Sequence, residues 1–270
     1  MSAINTNLAS LNAQRNLMTS ESSLNTSIQR LSSGLRVNSA KDDAAGLSIA
    51  TKMDSQIRGM SQATRNANDG ISMAQTADGG LATAIDALQR MRELAVQGAN
   101  GTVGTADSAN LDKEFQALAL EVKRVATDTK FNGKAILSTA GSAATDIQVG
   151  ADVGQKIVLG ATDLEGKAVA GDVTSQANSN TAITAIDTAM ASINTMRADL
   201  GASQNRLGYA VSNLQSSVEN QSAAKSRIMD TDFAAETAKL TRGQILQQAG
   251  TAMLAQANSA PNGVMALLRG

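Results

Sequence analysis

A heptad pattern of apolar residues is clearest between Ile193 and Ile228, which read INTMRADLGASQNRLGYAVSNLQSSVENQSAAKSRI. Steps of three or four residues, or their sum, separate most of its apolar positions: Met196, Leu200, Leu207, Val211, Leu214, Val218 and Ile228. This spacing places an apolar stripe along one side of a helix and is typical of a coiled-coil seam. Ser203, Gln221 and Lys225 fill gaps in the stripe.

A second stripe begins near the N-terminus. It starts at Ile4, Leu8, Leu11 and Met18, and after a slip it resumes at Leu24, Ile28, Leu31 and Leu35. Leu254, Leu267 and Leu268 add apolar positions at the C-terminal end. Matching stripes favour an antiparallel pairing of the N-terminal helix with the C-terminal helix. Because neither end can bury its stripe alone, we expect copies of the same chain to complete the core through these self-assembly seams.

Composition favours a slender, mainly α fold. Aromatic residues make up 1% and apolar residues 42% of the 270 residues, and a single proline interrupts the chain. Small alanines let helices approach closely and have high helix propensity. We therefore expect a long antiparallel helical bundle or coiled coil with paired terminal helices, and a small β-hairpin region in the middle.

Local signals predict six segments. Helices are expected at about 5–31, 43–96, 107–129, 181–227 and 233–256, with a β region at about 131–173. Ser39 and Asp42 resemble a capping box for the second helix, Asn132-Gly133 is a hairpin turn signal, and residues 258–263 are expected to close the last helix. The sequence predicts four regions. Residues 1–43 and 229–270 are the two halves of an inner coiled coil, each with a connector. Residues 44–180 hold the outer helices and the β region, and residues 181–228 form the long outer helix.

Residue types exclude several chemistries. The chain has no His and no Cys, which removes zinc and haem sites, cysteine nucleophiles and the usual Ser-His arrangement. With a net charge of -1 it offers no basic surface for nucleic acid. The acidic residues Asp42, Asp43, Glu93, Asp230 and Asp232 fit helix capping or solvated faces better than a metal site. We therefore expect no enzyme activity and no cofactor.

The first ten residues lack a basic region followed by an apolar run, and no stretch approaches the roughly 20 apolar residues of a membrane span. We expect neither a secretory signal peptide nor a transmembrane helix. If the protein leaves the cell, it uses another route.

Short stretches along the chain resemble bacterial flagellins in order and spacing. They cover about the first 135 and last 90 residues and comprise Ile4–Leu8, Leu31–Arg36, Ala40–Gly46, Asn66–Gly70, Leu88–Gln97, Phe131–Gly133, Asp230–Ala234, Ala255–Asn258 and Leu267–Arg269. So many ordered matches make the resemblance specific. The short middle indicates a form without the large outer variable domains of many flagellins.

The resemblance implies a structural subunit of the extracellular flagellar filament used for swimming. It also implies export in the unfolded state through the flagellar type III apparatus. Partners would be further copies of the chain, the filament cap, hook-filament junction proteins and an export chaperone. We expect residues 1–34 and 233–270 to be disordered in the monomer and to become ordered on polymerisation, since isolated helices are marginal in water.

One segment also resembles the surface that the vertebrate Toll-like flagellin receptor recognises. The matching residues are Gln89, Arg90 and Leu94, with Glu114 on the adjacent helix. The alternative is that these residues make filament contacts only.

Other protein classes share some of these features. A hook-filament junction protein would have the same terminal helices, although the match at Leu88–Gln97 favours flagellin. A chemoreceptor signalling hairpin would share the heptads but would normally accompany a membrane span. A helical-bundle enzyme would need a convergent interior polar cluster, which the pattern does not supply.

Overall fold

Helices dominate the computed structural model, which describes residues 6–138, 144–160, 162–167, 169 and 171–269, with side chains described as far as residue 259. In this part of the chain the helices are α1 Leu8–Ser33, α2 Ala44–Gly98, α3 Thr105–Asp128, α4 Gln176–Met229 and α5 Phe233–Arg269. The mainly α fold predicted from composition is confirmed.

The ends of α1 carry standard capping groups. Asn7 Oδ1 accepts a hydrogen bond from Ser10 N at 3.1 Å and so satisfies a free amide of the first turn. At the other end Gly34 adopts a left-handed conformation with φ of 72°, and its N–H donates to Arg30 O at 2.9 Å. Capping chemistry thus fixes both ends of this helix.

Helix α2 is capped by a different residue from the one predicted. Ser39 and Asp42 close a separate turn before the helix, in which Asp42 Oδ2 accepts hydrogen bonds from Ser39 N at 2.9 Å and Ser39 Oγ at 3.0 Å. These bonds hold the pKa of Asp42 below its ordinary value. The helix itself begins after Asp43, whose Oδ1 accepts from Gly46 N at 2.8 Å. Both carboxylates therefore stabilise local backbone, as expected for capping residues.

Helix α5 continues beyond its predicted end and through Pro261 to Arg269. The predicted closure at residues 258–263 is wrong. Proline in a helix interior removes one hydrogen bond and costs about 3 kcal/mol, a penalty that lowers the stability of a helix without dictating where it ends. Helix α4 likewise begins at Gln176, before the predicted start at Thr181.

The described residues between α3 and α4 form two small antiparallel hairpins. Strands β1 (Lys130–Phe131) and β2 (Lys134–Ala135) are joined by Asn132 and Gly133, whose φ values of 49° and 77° give the left-handed turn that an Asn-Gly pair favours. Strands β3 (Thr145–Gln148) and β4 (Lys156–Leu159) form the second hairpin. In β4 the side chains of Ile157 and Leu159 are buried and those of Lys156 and Val158 are exposed, as a strand with one packed face requires.

The chain forms two compact units. The first comprises residues 1–55 and 220–270, and the second comprises residues 56–219. The boundaries therefore fall inside α2 and α4, whereas the sequence-based division placed them at helix ends. A continuous helix can contribute successive segments to two packing groups, and nothing in its local sequence marks that change.

Helices α2 and α4 run antiparallel within the second unit. Arg92 pairs with Asp187 at 2.8 Å, and Arg197 pairs with Asp78 at 2.7 Å. Their common core contains fully buried side chains from α2, α3 and α4: Leu81, Leu88, Met91, Phe115, Val122, Ile186, Ile193 and Leu207. Burial of this apolar area supplies most of the stabilisation, because exposed ion pairs contribute only about 0–1 kcal/mol each.

A glycine allows the close approach of two elements to α2. A Cβ atom at position 70 would lie 3.0 Å from Ile147 Cγ1 of β3 and 3.3 Å from Leu207 Cδ1 of α4. Both distances are shorter than ordinary van der Waals contact, so a side chain here would push the neighbours away. Gly70 therefore permits close packing.

Candidate assembly surfaces

The terminal helices α1 and α5 form an antiparallel pair, as the matching stripes predicted. At one end Asn7 Nδ2 donates a hydrogen bond to Ala257 O at 2.7 Å, and Ser10 Oγ donates to Asn258 Oδ1 at 2.7 Å. At the other end Ser27 hydrogen-bonds the carboxylate of Glu236. The two helices thus pair along almost the full length of α1.

The contact between these helices is a regular heptad seam in which half of the positions are small residues. Apart from Arg30, the less exposed positions on α1 are Ser10, Ala13, Leu17, Ser20, Leu24, Ser27 and Leu31, at alternating steps of three and four. Those on α5 are Glu236, Leu240, Gly243, Gln247, Gly250, Leu254 and Ala257, with the same steps. Of the predicted seam residues, Leu24, Leu31 and Leu254 lie in this contact. The N-terminal apolar stripe slips between Met18 and Leu24 because its residues lie on two different faces of α1.

The other face of α1 is apolar and open to solvent. Leu8 and Met18 are 68% and 70% exposed, and Leu11 and Ile28 are also exposed. Leu8, Leu11 and Ile28 therefore lie outside the contact between the terminal helices, and their expected contact with other copies of the chain stays a prediction. They lie at heptad positions that face away from α5, where no described residue of the chain covers them.

Helix α5 carries a corresponding set of exposed apolar side chains: Phe233, Ile245, Leu246 and Met253. Between the helices lies a groove of about 460 Å³, lined on α1 by Ala13 and Leu17 and on α5 by Leu246, Gly250 and Met253. Apolar patches of this kind on a soluble protein mark sites of interaction with other macromolecules. We refer to these two solvent-facing sets together as the outer apolar faces. The side chains of Leu267 and Leu268 lie outside the described residues.

The remaining predicted seam lies in α4, and the chain's own second helix covers it. Leu200, Leu207 and Leu214 are buried, and Val211 and Val218 are half-buried. Leu207 packs on Gly70, and Leu214 packs with Met60 and Ala63. The expectation that this stripe awaits a neighbouring subunit is corrected, because an intramolecular partner already fills it.

Three of the four residues predicted for the receptor surface lie together on the outside of the second unit. Arg90 Nη2 pairs with Glu114 Oε1 at 2.9 Å, and Gln89 is exposed beside it. Arg90 Nη1 also pairs with Glu93 Oε2 at 2.9 Å, and the hydrogen bonds that the Arg90 guanidinium donates to Glu93 and then to Glu114 raise its pKa. Its charge is therefore fixed at every physiological pH.

Leu94 departs from that surface. It is 1% exposed and packs in the apolar core, because it lies on the side of α2 that faces α3 and α4. The prediction that it is part of an exposed recognition surface is wrong for this structure.

Asp230 and Asp232, which were predicted as helix caps, both accept hydrogen bonds near helix ends. Asp232 Oδ1 accepts from Ala234 N at 2.9 Å and Ala235 N at 3.1 Å at the start of α5, and Asp230 accepts from Ser226 Oγ at 2.6 Å. Within the described residues, no three His, Cys, Asp or Glu side chains are grouped so as to hold a metal ion. No helix in the same ranges combines the length and hydropathy that a membrane span requires.

Two features of the assembly region escaped sequence reasoning. The serines and glycines of the seam were missed because only large apolar residues were counted, although the small residues repeat with the same heptad spacing. Glu236, which is 4% exposed, was missed because a carboxylate is rarely a seam residue. The signal that could have found both is the alternation of leucine on one helix with glycine on the other.

Comparison with known proteins places the chain among flagellar proteins. The family model for the bacterial flagellin N-terminal helical region matches residues 4–142, and that for the C-terminal helical region matches residues 183–268. The flagellin of Halalkalibacterium halodurans is 46% identical over 271 residues, covering 98% of this chain and 99% of the relative. The flagellar filament 33 kDa core protein of Treponema phagedenis is 40% identical over 285 residues, with the same coverage.

A solved structure has the same fold. The crystal structure of Bacillus cereus flagellin superposes with a TM-score of 0.52 at 35% identity and covers 60% of this chain and 94% of that one. By contrast, the alignment with flagellin A of Vibrio anguillarum extends over 376 residues and covers 98% of this chain. That relative therefore contains insertions that this chain lacks.

Proposed function

The chain belongs to the bacterial flagellin family, and on that premise we propose that the outer apolar faces of α1 and α5 are the surfaces through which its subunits pack in the filament. The protein is a structural subunit of the flagellar filament, a polymer outside the cell. Solvent exposure of Leu8, Leu11, Met18 and Ile28 on one helix face carries the proposal. Burial of apolar area between subunits would supply about 25 cal/mol per Å².

A specific test compares two residues of α1. Met18→Asp places a charge on the outer face, where packing against a neighbour would bury it unpaired, so we expect at least a tenfold loss of filament elongation from seeds. The matched control is Glu21→Asp, a conservative change at an exposed polar site one turn away. Elongation of the Met18 variant at the wild-type rate would show that this face is not a subunit contact.

The same faces support disorder of the termini before assembly. Half of the seam positions between α1 and α5 are Ser, Ala or Gly, which bury little apolar area, and large side chains such as Met18 and Met253 point outward. Residues 1–34 and 233–270 would therefore be disordered in the monomer and become ordered on polymerisation. Hydrogen exchange on monomer and filament tests this, and equal amide protection of the ends in both states would contradict it.

Disordered termini would suit export of an unfolded chain through the flagellar type III apparatus, with an export chaperone covering the apolar faces beforehand. The cap would guide folding at the tip, and hook-filament junction proteins would connect the filament to the hook. Chaperone binding is testable by mixing the monomer with the chaperone from the same cell. Binding retained after removal of residues 233–270 would place the site elsewhere.

A second role is recognition of the monomer by a Toll-like flagellin receptor. The observation in its favour is the exposed group of Gln89, Arg90 and Glu114, held by the ion pair at 2.9 Å. Arg90→Ala should lower activation of receptor-bearing reporter cells, whereas Arg124→Ala, which breaks a similar exposed ion pair on α3, should not. Equal activation by both variants would favour the alternative that these residues make filament contacts only.

A further inference from the structure

The hairpin of β3 and β4 ends in a tip that presents a single apolar side chain. Val153 is fully exposed, with a greater exposed fraction than any other large apolar residue in the described part of the chain. Its neighbours in the loop are Asp152 and Gly154, the latter with φ of 87°. Val153 therefore buries none of its side chain against its own chain.

Several hydrogen bonds fix the shape of this tip. Gln148 Nε2 donates to Gly150 O at 3.0 Å and to Asp152 O at 2.6 Å. Gln155 Oε1 accepts from Asp152 N at 3.2 Å, and Gln155 O accepts from Val149 N at 2.8 Å. The loop is therefore ordered before it meets a partner, which lowers the entropy cost of binding.

The same compact unit contains a groove that matches the tip in chemistry. Its volume is about 440 Å³, and it lies on the N-terminal half of α4 beside residues 166, 167 and 169. The residues of α4 that line it are Thr181, Thr184, Ala185, Thr188, Ala189 and Ser192.

The hydroxyl groups in this groove are already satisfied within α4. Thr181, Thr184 and Thr188 donate to the carbonyls of Ala177, Asn180 and Thr184 at 3.1, 3.2 and 2.8 Å. Each threonine therefore has no hydroxyl proton left to offer a ligand, while its methyl group adds to the apolar surface of the alanines. The groove is thus suited to a small branched apolar side chain.

Charge is complementary as well. Asp152 adjoins Val153 at the tip, and Lys167 lines the groove. Neither side chain belongs to an ion pair within the described residues. A tip entering the groove would bring these opposite charges to the rim of the contact, where they favour correct orientation more than affinity.

The tip and the groove cannot meet within one chain. Ala151 packs beside Gly59 of α2, whereas the groove lies at the level where Asp187 pairs with Arg92. These levels are roughly 30 residues apart along α2, or about 50 Å at 1.5 Å per residue. Two different patches on one subunit give a head-to-tail contact, which builds an open helical polymer when the rotation does not close.

We propose that the Val153 tip of one subunit inserts into the α4 groove of the next copy of the same chain. This contact rests on the filament-forming function of the family and adds to the outer apolar faces of the terminal helices. Three features identify a second copy as the occupant of the groove. The Val153 side chain suits the apolar lining of the groove, Asp152 and Lys167 carry opposite charges, and the tip and the groove lie too far apart to meet within one chain.

Engineered cysteines test the contact directly, because the chain has none of its own. A disulfide needs Cα atoms about 4.4–6.8 Å apart, so Val153→Cys combined with Ala185→Cys can cross-link only between copies. We expect a ladder of linked chains after oxidation of filaments and none from monomers. The control pair is Val158→Cys with Ala185→Cys, which uses an exposed residue of the same hairpin away from its tip and should give no ladder.

Seeded elongation supplies a second readout. Val153→Lys should slow elongation at least tenfold, since it removes the apolar side chain and sets a positive charge beside Lys167. Val158→Lys should elongate normally, because its cross-strand neighbour is Asp146. Equal elongation of the two lysine variants, or an absence of cross-links in filaments of the 153/185 variant, would overturn the inference. Failure of the wild-type chain to extend seeds would instead count against filament formation itself.

Discussion

Leu24 of α1 packs directly onto Gly243 of α5. Its Cδ1 atom lies 3.1 Å from the position that a Cβ at residue 243 would occupy, and Leu17 Cδ1 has the same distance to a Cβ at residue 250. The helices approach closely because each leucine fills the space that the opposite glycine leaves open. The pairing of the terminal helices thus depends on where glycines stand, in addition to where apolar residues stand.

Substitution of this glycine should weaken assembly. Gly243→Ala gains helix propensity but pushes against Leu24, and overpacking of this kind typically costs about 1–3 kcal/mol. We expect the critical concentration for polymerisation to rise about tenfold, which corresponds to about 1.4 kcal/mol. Gly208 has open space around it in α4, so Gly208→Ala should leave the critical concentration unchanged or lower it. An unchanged critical concentration for the Gly243 variant would show that the helices separate when subunits pack.

Two glycines of α2 should respond in opposite directions to the same change. Gly79 has open space around its Cα, so Gly79→Ala should raise the free energy of unfolding of the monomer by about 0.5–1 kcal/mol. Gly70→Ala should lower it, since Ile147 and Leu207 leave no room for a methyl group. Thermal unfolding followed by circular dichroism at 222 nm measures both. Stabilisation by both alanines would contradict the role of Gly70 in close packing.

Truncation of the α4 core should destabilise the monomer before any assembly step. Leu207 is completely buried, and Leu207→Ala should cost about 2–5 kcal/mol of unfolding free energy. Tyr209, on the same helix but 79% exposed, offers the matched control, and Tyr209→Ala should stay within about 0.5 kcal/mol. Denaturant unfolding of the monomers measures both changes. If Leu207 contacted only neighbouring subunits, the Leu207→Ala monomer would unfold like the wild type.

The α1–α5 pair should weaken in acid through Glu236. The hydrogen bond from Ser27 lowers the pKa of this carboxyl below its ordinary value of 4.5, and the charges of Lys239 and Arg30 act in the same direction. Because the paired state favours the ionised form, the stabilisation is fully present above the unfolded pKa and is lost as the pH falls through the lowered value. The critical concentration should therefore rise at acid pH.

Glu236→Gln separates this effect from other titrations. It keeps the shape and the hydrogen bond with Ser27 but removes the ionisation, so the rise in critical concentration on acidification should be smaller than in the wild type. Measurements at several pH values between 3 and 7 provide the comparison. Parallel pH profiles for the two proteins would mean that other carboxylates cause the acid sensitivity.

The sequence by itself determined the helical class, the antiparallel pairing of the termini, the Asn132-Gly133 hairpin and the family. These follow from short-range physics and dense motifs: heptad spacing, the left-handed turn that Asn-Gly favours, and ordered stretches such as Leu88–Gln97. Each signal is contained within a few neighbouring residues.

Only the tertiary structure decided which stripe each helix covers and which it leaves open. Leu207 and Met18 both stand in heptad-like patterns, yet the first is buried against α2 and the second is exposed to solvent. Leu94 is buried although the residues around it suggested a recognition surface. A periodic pattern specifies that a face needs a partner, but the identity of that partner depends on contacts between residues far apart in the chain.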